Sequence, residues 1–251
     1  MIAYLPAKGF SKRVYRKNVR EFCGKPLIEW TLIQLETAKH IDMTYVSTDD
    51  EVIAEIANKY TTTVVWRDYL QGLDDTAGVP QKHWFQWMDA HGGLPEEYLD
   101  IFCTSPLRFP GDIDRVIERS QKGYGTRVMT MGLWYEIDLY RTHPNGQASC
   151  VIGDKGVDRY LFGTNATHVT RTAPARATVE DASKIRTDTN MDTERLILMK
   201  PEVVDYVTVP WWQTLEADFP DTFELCEWLM EKHILKGQGD EMYYAYQRTT
   251  T

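Results

Sequence analysis

Short apolar runs alternate with amphipathic stretches along the first half of the chain. Runs rich in β-branched and aromatic residues predict strands, whereas apolar side chains that recur every three or four residues predict helices. This alternation is typical of an α/β fold with a mostly parallel sheet. The predicted strands are residues 2–6, 43–47, 61–66, 99–104 and 127–131, and the predicted helices are residues 26–39, 79–90 and 111–122, with one more that begins near residue 48.

The pattern changes after Gly132. The pair Asn145-Gly146 and the segment 153–156 are typical of hairpin turns, and short alternating runs lie between them. We therefore expect an antiparallel arm within residues 133–190. Such an arm suits a dimer contact. Strands are predicted again at residues 194–199 and 203–209, and a closing helix at residues 223–235. We expect one domain over residues 1–236 and a polar, tyrosine-containing tail over residues 237–251, to which the pattern assigns no structure.

Composition narrows the class of protein. The chain has 251 residues, a formal net charge of -9, 43% hydrophobic residues and 26% charged residues, which is typical of a soluble globular protein. The negative charge argues against nucleic acid as a partner. Four cysteines lie far apart and form no CxxC pair, which argues against a zinc site. Because we find neither an export signal nor an apolar run of membrane-spanning length, we expect a cytoplasmic protein without a membrane anchor.

One stretch runs against the overall charge. Residues 5–26, LPAKGFSKRVYRKNVREFCGKP, carry seven basic side chains and a single acid directly after the first predicted strand. Gly9, Ser11 and successive backbone N–H groups there would suit a bound anion, and the surrounding cations would suit a triphosphate. The motifs GxxxxGK(S/T) and GxGxxG are both absent. From these residues alone, a phosphate-binding loop and a solvated basic surface loop both stay open.

Five sequence blocks favour the first interpretation. The stretch LPAKGFSKRVYRKNVREFCGKPLIEWTL resembles the opening of the CMP-sialic acid synthetase (acylneuraminate cytidylyltransferase) family, the nonulosonic-acid cytidylyltransferases. VSTDDEVIAEIANKY, DDTAG, TSPLR and EADFPDTFELCE resemble the later blocks of that family, in the same order. Within the family, the segment KRVYRKNVREFCGKP is most similar to the branch that handles pseudaminic acid.

The resemblance implies a Rossmann-like nucleotidyltransferase fold, usually dimeric, that uses CTP and Mg²⁺. It implies that the anomeric hydroxyl of an acidic sugar attacks the α-phosphorus of CTP and that pyrophosphate leaves. The alternatives are another acceptor, such as a Kdo-like sugar or a phosphonate, another nucleotide such as GTP, and a homologue that binds nucleotides without catalysis.

The matching blocks also imply site residues. Lys12, Lys17 and Arg108 would contact the phosphates and support catalysis. Asp218 and Glu216 would bind Mg²⁺, since their spacing in an extended segment would put both carboxylates on one side. Without a metal they would be surface acids before a helix capped by Asp221. Further nucleotide contacts would come from Lys8, Gly9, Ser11, Arg13, Asn18, Asp75, Thr76 and Ser105, and contacts to the acceptor from Arg171 and Arg176.

Several residues depart from the family pattern. Lys8 stands where the family usually has Arg and lacks its bidentate fork. Phe10 replaces a Gly, and Phe102 replaces a Gln that precedes the TSPLR block. Glu216 replaces an Asp and shifts the carboxylate by one bond. These departures bear on the nucleotide and the metal more than on the fold.

Overall fold

The fold was determined as a computed structural model, which describes residues 1–68, 78–123, 126–134, 139–142, 148–152, 160–185 and 204–250. Its strands are β1 Ile2–Ala7, β2 Glu21–Phe22, β3 Lys25–Pro26, β4 Met43–Thr48, β5 Thr62–Trp66, β6 Glu97–Ile101, β7 Arg127–Trp134, β8 Leu139–Thr142, β9 Ala148–Ile152, β10 Tyr160–Arg171 and β11 Val204–Val209. Its helices are α1 Leu27–Glu36, α2 Glu51–Ala57, α3 Gly78–Ala90, α4 Asp112–Ser120, α5 Thr172–Ile185, α6 Pro220–Leu229 and α7 Glu241–Thr250.

Seven strands form the central sheet in the order β11-β7-β10-β6-β1-β4-β5. The pairs β1–β4, β1–β6, β4–β5 and β7–β11 are parallel, whereas β10 runs antiparallel to both β6 and β7. The predicted α/β class with a mostly parallel sheet is therefore confirmed. Strands β8 and β9 pair antiparallel in a small separate sheet, and the predicted turn at Asn145-Gly146 lies outside the described residues.

Both faces of the sheet are covered, as expected for parallel strands. Helices α1, α2 and α4 pack on one face through residues such as Leu32, Ile53 and Val116, which are all fully or almost fully buried. Trp84 of α3 packs on the other face, where its ring stacks on Tyr4 at a centroid distance of 4.3 Å. The residues that the structure describes include no helix long and apolar enough to cross a membrane.

A third apolar cluster lies beside the sheet and positions the candidate site. It joins Val14 from the segment after β1, Leu107 from the segment after β6, Ala217 before α6 and Tyr243 from α7, together with the outer side of α1. All four of these side chains are at most 2% exposed. Segments that are far apart in the sequence are therefore held by one common core.

The closing helix differs from the sequence prediction, and the tail contains a helix that the pattern did not predict. The predicted helix at residues 223–235 begins earlier, as α6, and ends in a π-helical turn at Met230–Leu235. The tail, to which the pattern assigned no structure, forms α7 and packs on α1, where Gln247 Nε2 donates to the carbonyl of Glu36 at 2.9 Å. The strand predicted at residues 194–199 lies outside the described residues.

Candidate active site

The segment between β1 and β2, residues 8–20, is called the basic loop below. It leaves the carboxyl end of β1, and Asp49 and Thr104 follow the carboxyl ends of the neighbouring strands β4 and β6. Because these three strands are parallel, all three segments lie at the same edge of the sheet. Ligands of open α/β sheets bind at this edge.

The basic loop is anchored at both its middle and its end. The side chain of Val14 is 2% exposed in the third apolar cluster. The carbonyls of Asn18 and Arg20 accept hydrogen bonds from the backbone N–H groups of Ile28 and Leu27, each at 2.9 Å. These are among the first N–H groups of α1, which have no partner within the helix. The return of the chain onto α1 therefore fixes where the loop ends.

The side chain of Asn18 holds the loop against β6. Its Nδ2 donates to the carbonyl of Lys8 at 2.8 Å, and its Oδ1 accepts from the Cys103 thiol at 3.1 Å. Burial raises the pKa of that thiol to about 11, although Lys17 partly offsets the effect, so the thiol stays protonated and can donate. Asn18 is only 4% exposed. A contact between Asn18 and the nucleotide stays a prediction, whereas its role in shaping the loop follows from these bonds.

Two consecutive acids after β4 face the basic loop. Asp49 Oδ1 accepts from the backbone N–H of Gly9 at 2.8 Å. Asp50 accepts from Arg16 Nη2 at 2.8 Å and from the backbone N–H of Ile53 at 3.1 Å, which makes it the N-cap of α2. Neither acid was predicted as a site residue from the sequence, and the helix predicted to begin near residue 48 begins at Glu51. The available signal was a pair of acids directly after a predicted strand.

We expect Gly9→Ala to distort the loop. An added Cβ would lie 2.4 Å from Asp50 Oδ2 and 2.7 Å from Asp50 Cβ, so the carboxylate must move and lose its bond to Arg16. The free energy of unfolding should fall by about 1–3 kcal/mol, as measured by urea denaturation. At Gly78 the added methyl group meets no described atom within 4 Å, so Gly78→Ala is the matched control. Equal stability of the two variants would contradict the tight packing at Gly9.

The acidic segment before α6 bends instead of being extended. The backbone N–H of Asp218 donates to the carbonyl of Glu216 at 2.8 Å, which closes a three-residue turn. The N–H of Ala217 donates to the carbonyl of Thr104 at 2.7 Å and ties the turn to the end of β6. The segment is therefore not fully extended as predicted. Ala217 is buried in the core, and the acids on either side of it are half-buried.

Asp221 does not cap α6. The N-cap is Phe219, whose backbone N–H donates to Thr222 Oγ1 at 3.1 Å. Asp221 lies in the first turn of the helix and is exposed. The expectation that Asp221 caps this helix is therefore wrong.

Asp218 meets the basic loop directly. Its Oδ1 accepts a hydrogen bond from Lys17 Nζ, and its Oδ2 lies 2.6 Å from Arg13 Nη2. The Arg13 guanidinium also lies 4.7 Å from the centre of the Phe219 ring. The side chain of Lys17 is 12% exposed and that of Asp218 is 20% exposed. Lys17 is therefore no solvated surface cation, and the cationic and acidic segments converge at one place.

Glu216 has a different electrostatic neighbour. Burial, with the charge of Glu216 as a second cause, raises the pKa of the Cys226 thiol on α6 to about 12.

Within the described ranges, no three His, Cys, Asp or Glu side chains form a group that could hold a metal ion. The metal-binding roles of Asp218 and Glu216 stay predictions.

Two buried hydroxyl groups, one in the basic loop and one after β6, make no hydrogen bond to the described residues. Ser11 in the basic loop is 7% exposed and Ser105 after β6 is 1% exposed. Neither Oγ has a hydrogen-bond partner among the described residues. A buried polar atom without a partner is costly. Both hydroxyls can therefore bond to a polar ligand, and their contacts with the nucleotide stay a prediction.

Arg108 lies in the interior. Its guanidinium donates to Thr167 Oγ1 at 2.8 Å, to Gln34 Oε1 at 2.9 Å and to the carbonyl of Phe102 at 2.8 Å. Burial lowers the pKa of Arg108 to about 10, which leaves the side chain charged at neutral pH. These contacts brace the segment after β6, and a direct contact with phosphate stays a prediction.

The predicted acceptor residues lie away from the carboxyl ends of the parallel strands, near the amino end of β6. Arg171 pairs in register with Glu97, the first residue of β6, and its Nη1 lies 4.0 Å from Glu96 Oε1. Arg176 makes two bonds to Asp89, at 2.7 and 2.8 Å. The structure therefore does not bring these arginines together with the basic loop. Asp75 and Thr76 lie outside the described residues, whereas Lys8 is half-buried and Lys12 is exposed within the loop.

A buried carboxyl on β6 makes stability depend on pH. Burial raises the pKa of Asp100 from 3.8 to about 7, and the charge of Arg127 opposes the shift only partly. Its Oδ1 has no hydrogen-bond partner among the described residues. Between these two pKa values the folded state binds more protons than the unfolded state, so stability falls as pH rises through this window.

Replacement of Asp100 by Asn removes this dependence. The melting temperature of Asp100→Asn relative to the unmodified chain should therefore rise between about pH 4 and about pH 7, as measured by calorimetry. The exposed Asp221 provides the control variant Asp221→Asn, whose difference should stay flat. A constant difference for Asp100→Asn as well would show that Asp100 titrates normally.

A family model described as cytidylyltransferase matches residues 2–241 of the chain. A pseudaminic acid cytidylyltransferase from Campylobacter jejuni is 42% identical over 108 residues, which cover 42% of this chain and 47% of that protein. A CMP-N,N'-diacetyllegionaminic acid synthase from Legionella pneumophila is 32% identical over 123 residues, which cover 47% of this chain and 52% of that protein. The chain spans about half the length of the curated relatives it matches.

Solved structures agree with the fold. The structure of a CMP:2-keto-3-deoxy-manno-octonic acid synthetase complexed with CTP superposes with a TM-score of 0.65 at 16% identity, over 93% of this chain and 99% of that one. A 4-diphosphocytidyl-2C-methyl-D-erythritol synthase from Anaerococcus prevotii gives 0.64 at 14% identity, over 92% and 95%. The predicted nucleotidyltransferase fold is confirmed.

Proposed function

Because the chain belongs to the cytidylyltransferase family, we propose that it transfers CMP from CTP to the anomeric hydroxyl of an acidic nonulosonic-type sugar. The new bond joins the sugar oxygen to the α-phosphorus, the bond from that phosphorus to the bridging oxygen breaks, pyrophosphate leaves, and the hydroxyl proton is released. The names of the relatives from Campylobacter jejuni and Legionella pneumophila support a sugar of this class.

One observation carries the proposal. The basic loop and Asp218 meet at the carboxyl edge of the sheet, where Lys17 and Arg13 both contact the Asp218 carboxylate. In phosphoryl transfer the protein mainly positions the reactants and neutralises charge. Lys17 and Arg13 would turn to the triphosphate. The buried hydroxyl of Ser11 in the same loop has no hydrogen-bond partner among the described residues and would also bond to it. The carboxylate of Asp218 would then be released towards a cation.

We propose Mg²⁺ as that cation. Mg²⁺ is usually bound by one or two carboxylates together with substrate phosphates and water, so a site with few protein ligands suits it. Asp218, with Glu216 as the second candidate, fits this donor set. When bound, Mg²⁺ supplies positive charge that offsets the charge developing on pyrophosphate. The protein's own part is to hold Asp218 in the turn that Ala217 ties to Thr104.

The assay of the proposal is pyrophosphate release by the purified chain. CTP and Mg²⁺ are supplied with pseudaminic, legionaminic or N-acetylneuraminic acid, and parallel reactions contain Kdo or replace CTP by GTP. We expect release with CTP and at least one of the nine-carbon acidic sugars. Release only with Kdo or with GTP would reassign the substrate, and CTP binding without any release would contradict catalysis.

Assembly and location follow from the same proposal. We propose a homodimer in which the arm that contains β8 and β9 contacts the partner, since these strands pair only with each other among the described strands. A cytoplasmic location suits an enzyme that consumes CTP. Sedimentation velocity would test the dimer, and a monomer at micromolar concentration would contradict it.

A further inference from the structure

The segment after β6, residues 102–108, is held by bonds to its carbonyl groups. The carbonyl of Thr104 accepts from the N–H of Ala217, and the carbonyl of Pro106 accepts from Gln34 Nε2 at 2.9 Å. The carbonyl of Leu107 accepts from Gln213 Nε2 at 2.8 Å. These donors come from two distant parts of the chain, α1 and the segment between β11 and α6. The path of this segment is therefore set by its neighbours more than by its own sequence.

The last helix supplies one of these bonds. Tyr243 of α7 is 1% exposed, and its hydroxyl donates to the carbonyl of Arg108 at 2.5 Å. The same oxygen accepts from Gln34 Nε2 at 3.0 Å. Tyr243 thus closes a buried network in which Gln34 also accepts from the Arg108 guanidinium. The match to the family model ends at residue 241, before this tyrosine.

The network reaches the candidate metal ligand through the backbone. Tyr243 and Gln34 hold residues 106–108, and Thr104 in the same segment holds the turn of Ala217 that presents Asp218. Loss of a buried hydrogen-bonding group leaves its partner unsatisfied and lets the chain shift. A shift of the segment would move Asp218 relative to Lys17. Small displacements of a positioned group lower reaction rates strongly.

We propose that Tyr243 is a positioning residue, which aligns Asp218 for the transfer step by fixing residues 104–108 from the C-terminal helix. The inference rests on the proposed function. It assigns a role in the reaction to α7, which this buried network links to the segment that holds the turn before α6.

The test compares Tyr243→Phe with Gln247→Ala. Gln247 docks the same helix on α1 through the carbonyl of Glu36 and makes no described bond to residues 102–108. Tyr243→Phe should lower kcat about tenfold and raise the Mg²⁺ concentration that gives half the maximal rate, with the KM of the sugar unchanged. Gln247→Ala should leave all three values within about twofold. All assays are run well below the melting temperature of each variant.

A second variant in the network and a binding measurement complete the test. Gln34→Met, which removes the bonds to Pro106 and Tyr243, should change kcat and the Mg²⁺ requirement in the same direction as Tyr243→Phe. If Tyr243→Phe melts at a lower temperature but keeps its kcat and Mg²⁺ requirement, Tyr243 is only structural and the proposal is overturned. If the unmodified chain neither releases pyrophosphate nor binds CTP in calorimetry, the proposed function fails, and the positioning role fails with it.

Discussion

Replacement of Asp218 by Asn is expected to lower the rate of pyrophosphate release by about three orders of magnitude, because a metal-bound carboxylate supports several kcal/mol of charge stabilisation. The amide is nearly isosteric and still accepts a hydrogen bond from Lys17, so the fold should persist. Steady-state kinetics over a range of Mg²⁺ concentrations measures the effect, and circular dichroism checks the fold.

Asp221→Asn is the matched control for this variant. It makes the same chemical change three residues later, at an exposed position in the first turn of α6. We expect its rate to stay within about twofold of the unmodified chain. If Asp218→Asn keeps a near-normal rate at limiting Mg²⁺, the assignment of Asp218 to the metal is wrong, and its role is only to neutralise Lys17 and Arg13.

Replacement of Lys17 by Met is expected to weaken CTP binding about 30-fold at low ionic strength, since a charge-assisted bond to phosphate in a largely buried setting is worth about 2 kcal/mol. Lys17 is 12% exposed, so its charge is screened less than that of a surface lysine. Titration calorimetry with CTP and Mg²⁺ measures the affinity. The difference in CTP affinity between the unmodified chain and Lys17→Met should become smaller as salt is added, because salt screens the attraction that the variant lacks.

Lys25→Met serves as the control for Lys17→Met. Lys25 belongs to the same basic stretch but pairs with Asp240 at 3.1 Å, away from Asp218. Its replacement should change CTP affinity by less than about threefold. An equal effect of the two variants would show that the stretch attracts CTP only through its overall charge, not through a specific contact of Lys17.

Local patterns predicted much of the fold and the basic loop. The bounds of strands β1, β4 and β5 agree with the prediction to within one residue at each end, and the cluster of cations after β1 was visible in the sequence. The site prediction also named Lys17 and Asp218, which the structure brings into contact although they are 201 residues apart. That juxtaposition came from the resemblance, because spacing alone carries no information about contacts over such a distance.

Tertiary context decided what the sequence did not predict. The long strand β10 inserts antiparallel between β6 and β7, and its partners are distant in the sequence. Helix α7 ends in threonines, which are weak helix formers, and its buried Tyr243 is explained by a network with Gln34 and Arg108. The bend at Ala217 depends on a backbone bond to Thr104 that no local pattern encodes.

The central claim is that the basic loop and Asp218 form one site for a nucleoside triphosphate. The most direct measurement is a crystal structure of the chain with CTP and Mn²⁺ in place of Mg²⁺, with the metal located by its anomalous signal. We predict the triphosphate against the loop backbone near Gly9 and Ser11, Lys17 bonded to phosphate, and the metal bonded to Asp218. A nucleotide bound elsewhere, with Lys17 still paired to Asp218, would contradict the claim.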